Sequence, residues 1–171
     1  MLSLILGAAR SGKSKLAQKI ATPCRRVVYI ATAQVNDDAE MVCRIEKHRA
    51  NRPAAWQTVE APLALADAVE HAAQNADAIL VDCLTLWLSN LFLAGSQDAT
   101  TTELSRIATA ARDRHVILVS NELGAGTVPD HALTRNFRDA HGLMNQCAAE
   151  LADEVILTVA GLPLYLKGRT Q

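Results

Sequence analysis

The sequence predicts an α/β protein, a mostly parallel central sheet with helices on both faces. Three observations carry that expectation. Short and almost wholly apolar runs recur at 2–6, 27–31, 78–82 and 115–120, with a fifth at 154–159; strands buried on both faces read in this way, without alternation. Longer stretches with apolar residues at helical spacing separate them, at 13–20, 37–49, 63–73, 102–112 and 133–151, the rhythm of strand–helix–strand units. The first apolar run also ends in a glycine-rich turn that opens the first helical stretch.

Taken in order, the run from Leu2 to Leu6 passes straight into Gly7 and a charged stretch. It has no basic leader and no cleavage site, so it reads as a strand and not as a signal peptide. The turn that follows, Gly7-Ala8-Ala9-Arg10-Ser11-Gly12-Lys13-Ser14, is a complete GxxxxGK[ST] pattern in the strand–loop–helix context the motif requires. Its glycines let backbone N–H groups wrap a phosphate at a helix N-terminus, Lys13 reaches the β- and γ-phosphates, and Ser14 ligates Mg²⁺. A nucleoside triphosphate site follows.

Residues 35–52 begin with Asp37 and Asp38 and end with Arg44, Lys47, His48, Arg49 and Arg52, an acid-started, base-ended helix favoured by its own dipole. Arg44 and His48, four apart, share a face. By composition and spacing alone His48 reads as a solvated residue at a basic helix end ahead of the alternative of a catalytic histidine, with a side chain that can titrate near neutrality. A loop is expected from Ala50 to Pro62, holding Pro53 and Trp56, and a second from Gly124 to Asp130; loops of this kind sit at the working end of an α/β sheet.

The third strand, Ala78-Ile79-Leu80-Val81-Asp82, ends in an acidic residue of the kind a P-loop protein needs for Mg²⁺, beside the alternative of a turn or cap residue. The fourth ends in Asn121 and Glu122 before Gly124 and Gly126, which makes Glu122 a candidate for orienting an acceptor or the metal, beside the alternative of a solvated turn. The apolar run from Leu84 to Leu93, with Trp87 and Phe92, reads either as a buried helix or as the lining of a subunit interface or ligand groove.

Composition excludes several classes. With 171 residues and 50% hydrophobic content, the chain buries roughly two-thirds of its unfolded surface and needs neither disulfides nor a structural metal. One domain spanning 1–171 is expected. Seventeen basic and 18 acidic residues give a formal net charge of -1, with no basic block of the kind a nucleic-acid binder carries. The four cysteines, Cys24, Cys43, Cys83 and Cys147, lie far apart with no zinc-binding spacing. They read as reduced, mostly buried thiols of a cytoplasmic protein. The run from Ile79 to Ala94 is broken by Asp82, Ser89 and Asn90 and falls short of the roughly 20 apolar residues that span a bilayer.

GAARSGKS, YIATAQ (Tyr29 to Gln34), RIEKHRANRP (Arg44 to Pro53), VDCLTLWLSN (Val81 to Asn90), NELGAGTVP (Asn121 to Pro129) and RNFRDAHGLMNQ (Arg135 to Gln146) together resemble the bifunctional adenosylcobinamide kinase / adenosylcobinamide-phosphate guanylyltransferase family of cobalamin biosynthesis. The resemblance covers essentially the whole chain. RIxxHRxxRP together with NExGxGxVP is its specific part.

That resemblance implies a RecA-like P-loop fold, a homotrimer, and two reactions. Adenosylcobinamide is phosphorylated on its aminopropanol hydroxyl with ATP or GTP; GMP from GTP then passes through a GMP–histidine intermediate to adenosylcobinamide phosphate. His48 matches the guanylylated histidine, with the neighbouring Lys47 as the rival nucleophile. Nucleotide contacts carry over to Gly7, Ala8, Ala9, Arg10, Ser11, Gly12, Lys13 and Ser14, to Ala31, Thr32 and Ala33, to Arg49, Ala50, Asn51 and Arg52, and to Glu60 and Asp82. Mg²⁺ falls to Ser14 and Asp82. Ala8 stands where many relatives carry a second glycine, at a free site of the motif. A P-loop kinase without guanylyl transfer and a nucleotide-regulated RecA-like binding module are the alternatives.

Overall fold

A computed structural model describes residues 1–34 and 52–168. The helix expected at 37–49, with Lys47, His48 and Arg49, lies outside the described residues, as do Cys43, Ala50 and Asn51. The described residues build a seven-stranded sheet in the order β3-β2-β4-β5-β1-β6-β7. Its strands are β1 (Leu2–Gly7), β2 (Val27–Ala31), β3 (Gln57–Glu60), β4 (Ala78–Asp82), β5 (His115–Asn121), β6 (Glu154–Val159) and β7 (Leu162–Lys167). Every neighbouring pair is parallel except β6 and β7, which form an antiparallel hairpin.

The apolar strands were legible because alternate residues feed two cores. Leu4, Leu6, Val28, Ile30, Ile79, Val81, Val116 and Leu118 face one side of the sheet. There they meet α2 (Leu65–Ala73), α3 (Leu84–Ala94), α4 (Thr100–Ala110) and α5 (Ala132–Leu151). Ile5, Val27, Tyr29, Leu80, Ile117 and Val119 face the other side, beneath α1 (Lys13–Ala21). Strands sandwiched in this way have no polar face to alternate with.

Several expectations change. The loop from Ala50 to Pro62 contains β3, whose four residues QTVE are mostly exposed; an edge strand of that composition carries no apolar run. The hairpin strand β7 was not expected, and all of its residues are exposed. The run from Leu84 to Leu93 is α3, with Leu84, Trp87, Leu88 and Leu91 buried, so most of it is core and not an interface. Trp87 is fully buried, and its indole N–H donates to the Leu63 carbonyl at 2.8 Å. Among the described cysteines Cys83 alone is buried; Cys24 and Cys147 are half-buried, and all three are free thiols. No described helix is long and apolar enough to cross a membrane.

Candidate functional site

Parallel pairing brings one set of strand ends together. Gly7 is in register with Asn121, Ala31 with both Asp82 and Glu60, and Asp82 with Val119. The carboxyl ends of five strands therefore share an edge, where ligands bind in open α/β sheets.

At that edge the P-loop runs from Gly7 into α1. Ala8, Ala9 and Arg10 are exposed, whereas Ser11 is buried. Arg10 and Gly12 take left-handed conformations, with φ of 57° and 96°. The loop is braced by a Ser11 N–H to Ala8 carbonyl bond of 3.2 Å and by Lys13 Nζ donating to the Ala8 carbonyl at 3.2 Å. Gly7 has no room for a side chain, since a Cβ there would lie 2.3 Å from Ser11 Oγ and 2.7 Å from the Thr158 carbonyl oxygen. Ser14 follows Lys13 in the first turn of α1.

Sequence reasoning missed the support behind this loop. The β6–β7 turn donates the Gly161 N–H to the Ser11 carbonyl at 2.8 Å. A Cβ on Gly12 would approach Gly161 Cα to 3.1 Å. The signal that could have found the turn is Gly161 between two apolar runs; Ala160 and Gly161 take positive φ (51° and 82°) between Val159 and Leu162, the conformation a two-residue hairpin loop demands.

Asp82 ends β4, two strands away from the P-loop strand. The Tyr29 hydroxyl donates to its Oδ2 at 2.9 Å. Tyr29 is buried, and burial first, then the Asp82 charge, push its phenol pKa well above the usual range, so it stays protonated. The peptide between Asp82 and Cys83 is cis. Thr32 fixes this corner: its hydroxyl donates to the Cys83 carbonyl at 2.7 Å and accepts the Cys83 N–H at 2.9 Å. The Thr32 carbonyl meanwhile accepts from the Asn90 amide at 2.8 Å. Thr32 thus shapes the edge through bonds inside the protein, while Ala31 and Ala33 flank it half-buried. The Cys83 thiol is pushed up to about 11, by burial and then by Asp82, and is no nucleophile at neutral pH.

Beside this corner opens a cavity of about 420 Å³ lined by Arg52, Pro53, Ala54, Trp56, Thr58 and Glu60. The Arg52 guanidinium stacks on the Tyr29 ring, 3.5 Å from its centroid. Its Nε is buried with no hydrogen-bond acceptor among the described residues. The structure thus gathers the P-loop, Ala31 to Ala33, Arg52, Glu60 and Asp82 along one edge.

On the other side of Asp82, the Glu122 N–H bonds the Gly7 carbonyl at 3.1 Å, tying this strand end to the P-loop. Glu122 Oε1 accepts the Gly124 N–H at 2.7 Å, so the carboxylate also braces its own loop. Beneath lies a buried polar cluster. His141 Nε2 is 3.0 Å from Thr85 Oγ1, Ser120 donates to Asn145 Oδ1 at 2.7 Å, and the Asn121 N–H and carbonyl bond Thr85 and Asn145. Burial lowers the His141 pKa, partly opposed by Glu122.

Ser14 and Asp82, the residues expected to hold Mg²⁺, offer a hydroxyl and a carboxylate. Such hard oxygens suit Mg²⁺ held mainly by phosphates and water. The fit is that of a phosphate-bound ion and not of a closed protein cage.

Residues 3–166 match the family model described as cobinamide kinase / cobinamide phosphate guanyltransferase, CobU. The chain belongs to this family. It is 47% identical over 171 residues to the bifunctional adenosylcobalamin biosynthesis protein CobP of Pseudomonas aeruginosa, covering 98% of each chain. It is 38% identical to the CobU protein of Salmonella typhimurium, covering 98% of this chain and 100% of that one. Among solved structures it resembles a type III secretion system ATPase from pathogenic bacteria (TM-score 0.61, 12% identity, 96% of this chain and 56% of that one). It also resembles a Pyrococcus horikoshii protein (TM-score 0.60, 11% identity, 99% and 87%). These likenesses extend to the fold alone, a RecA-like P-loop architecture.

Proposed function

We propose that this CobU-family chain is a single catalytic domain that carries both family reactions on adenosylcobinamide. The observation that carries the reading is the shared strand edge, which sets a P-loop, the carboxylate Asp82 and the arginine-lined cavity side by side.

In the kinase reaction the aminopropanol hydroxyl oxygen attacks the γ-phosphorus of ATP or GTP. The bond to the β-phosphate oxygen breaks, the nucleoside diphosphate leaves, and the hydroxyl proton passes to solvent. Backbone N–H groups from Gly7 to Ser14 and the Lys13 ammonium hold the phosphates, and positioning with electrostatics supplies most of the rate. Ser14 and Asp82 would hold Mg²⁺, which when bound would offset negative charge on the triphosphate.

In the transferase reaction the His48 imidazole attacks the α-phosphorus of GTP, and pyrophosphate leaves. A phosphate oxygen of adenosylcobinamide phosphate then attacks the same phosphorus, the P–N bond breaks, and His48 is regenerated. A neutral imidazole suits both halves, attacking well and leaving easily. Arg49 and Arg52 hold phosphate oxygens, with Ala50, Asn51 and Glu60 as further nucleotide contacts. The two reactions cleave different bonds of the triphosphate, so the nucleotide changes register or the His48 segment moves between them.

The chain assembles as a homotrimer in this reading and works in the cytoplasm. The exposed apolar edge of Val159, Leu162, Leu164 and Leu166 supports assembly, since such an edge is a template for association. Light scattering in solution tests it: three chain masses are expected, and a monomer contradicts it.

The function is tested by incubating the protein and adenosylcobinamide with GTP labelled at either the α- or the γ-phosphate. The γ-label is expected in adenosylcobinamide phosphate and the α-label in adenosylcobinamide-GDP. Transfer of γ-label alone would leave a P-loop kinase, and hydrolysis with no corrinoid product would leave a nucleotide-driven module.

A further inference from the structure

Tyr29 opens the YIATAQ segment and joins the two halves of the candidate site, and no nucleotide or metal role falls to it above. It sits on β2, 1% exposed, with its hydroxyl on Asp82 Oδ2 at 2.9 Å and the Arg52 guanidinium over its ring at 3.5 Å. A buried phenol is satisfied by one strong acceptor, and a carboxylate fed by such a donor is held in one rotamer. The ring face likewise confines Arg52, whose long side chain otherwise samples many rotamers. Arg52 is further held by a 3.4 Å bond from its Nη1 to Thr58 Oγ1.

We propose that Tyr29 is a positioning residue that sets Asp82 and Arg52 as one unit, coupling the carboxylate on the metal side of the nucleotide to the guanidinium at the cavity. The inference rests on the nucleotide-binding reading above. It predicts that the hydroxyl and the ring have separable effects. The hydroxyl acts on Asp82 and is felt only when Mg²⁺ accompanies the nucleotide. The ring acts on Arg52 and is felt with or without the metal.

The test is calorimetric titration of the full chain with GTP, in excess MgCl₂ and in EDTA, for wild type, Tyr29→Phe, Tyr29→Leu, Asp82→Asn and Tyr29→Phe/Asp82→Asn. Thermal melts of each variant separate loss of fold from loss of binding. Tyr29→Phe keeps the ring and is expected to weaken Mg²⁺–GTP binding about tenfold, the loss of one hydrogen bond to a charged group, with no change in EDTA. In the Asp82→Asn background the same change is expected to add no further loss. Tyr29→Leu is expected to weaken binding in both buffers. Equal weakening by Tyr29→Phe with and without metal, no weakening at all, or a loss that persists beside Asp82→Asn would each overturn the proposal. Failure of wild type to bind GTP in either buffer would remove the nucleotide-binding reading itself, and this inference with it.

Discussion

At the scale of single residues the site is set by what Gly7 and Lys13 can and cannot do. A methyl group at position 7 would meet Ser11 Oγ at 2.3 Å and a backbone carbonyl oxygen at 2.7 Å. Gly7→Ala is therefore expected to cost about 1–3 kcal/mol of stability through overpacking and to weaken GTP binding, both readable by urea denaturation and calorimetry. Lys13 rests on the Ala8 carbonyl, inside the cradle it helps to form. Lys13→Ala is expected to lower kcat for phosphoryl transfer on the order of 10²- to 10³-fold, the scale of removing one preorganised donor. Steady-state kinetics with adenosylcobinamide measures it. These residues stand out in the sequence because the phosphate cradle proposed above needs fixed residue types at fixed spacing. Tyr29 opens the YIATAQ segment, but its part in the site was not legible, because a tyrosine in the apolar run VVYIA looks like any core residue until its hydroxyl is found on Asp82. The engagement of Thr32 with the Cys83 peptide was hidden for the same reason, since it joins positions 51 apart in sequence.

Elements were legible to the extent that they are buried on both faces. Strands β1, β4 and β5 announce themselves as apolar runs, whereas β3 reads QTVE and β7 is exposed throughout. Such edge strands owe their existence to pairing with a neighbour. The helix α3 was ambiguous because its apolar residues are too many to define one stripe, and packing settles which of them are core. Trp87 is its anchor, with no exposed surface and a bond to Leu63. Trp87→Ala is expected to cost about 3–5 kcal/mol, read as a lower urea midpoint; a loss below about 1 kcal/mol would contradict the packing account. The β6–β7 turn supports the P-loop only if Gly161 keeps φ near 82°. Gly161→Val adds left-handed strain of about 1–2 kcal/mol, and weaker GTP binding is expected through the Ser11 carbonyl that the Gly161 N–H holds.

Across the whole molecule the buried His141 and the half-buried His115 set a pH dependence. Burial holds His115 and His141 below their ordinary value of 6.5. The fold keeps them neutral, so below about pH 6.5 the unfolded chain binds their protons more readily. Their stabilisation is thus fully present above that pH and is lost as pH falls through the depressed folded values. The urea midpoint is expected to be lower at pH 5.5 than at pH 7.5, with His141→Gln removing part of the difference; a midpoint that rises on acidification would contradict this. The sheet as a whole was legible from alternating runs and helical stretches. The meeting of Gly7, Ala31, Glu60, Asp82 and Asn121 at one edge required the strand order, which no local pattern encodes.

The central claim, that GMP passes through His48, is tested most directly by incubating wild type, His48→Ala and Lys47→Ala with Mg²⁺ and α-labelled GTP, denaturing, and mapping the bound label by mass spectrometry. An acid-labile, base-stable adduct on His48, lost in His48→Ala and kept in Lys47→Ala, is the predicted result. Label on Lys47 would move the nucleophile by one residue, and no adduct in wild type would contradict covalent guanylyl transfer altogether.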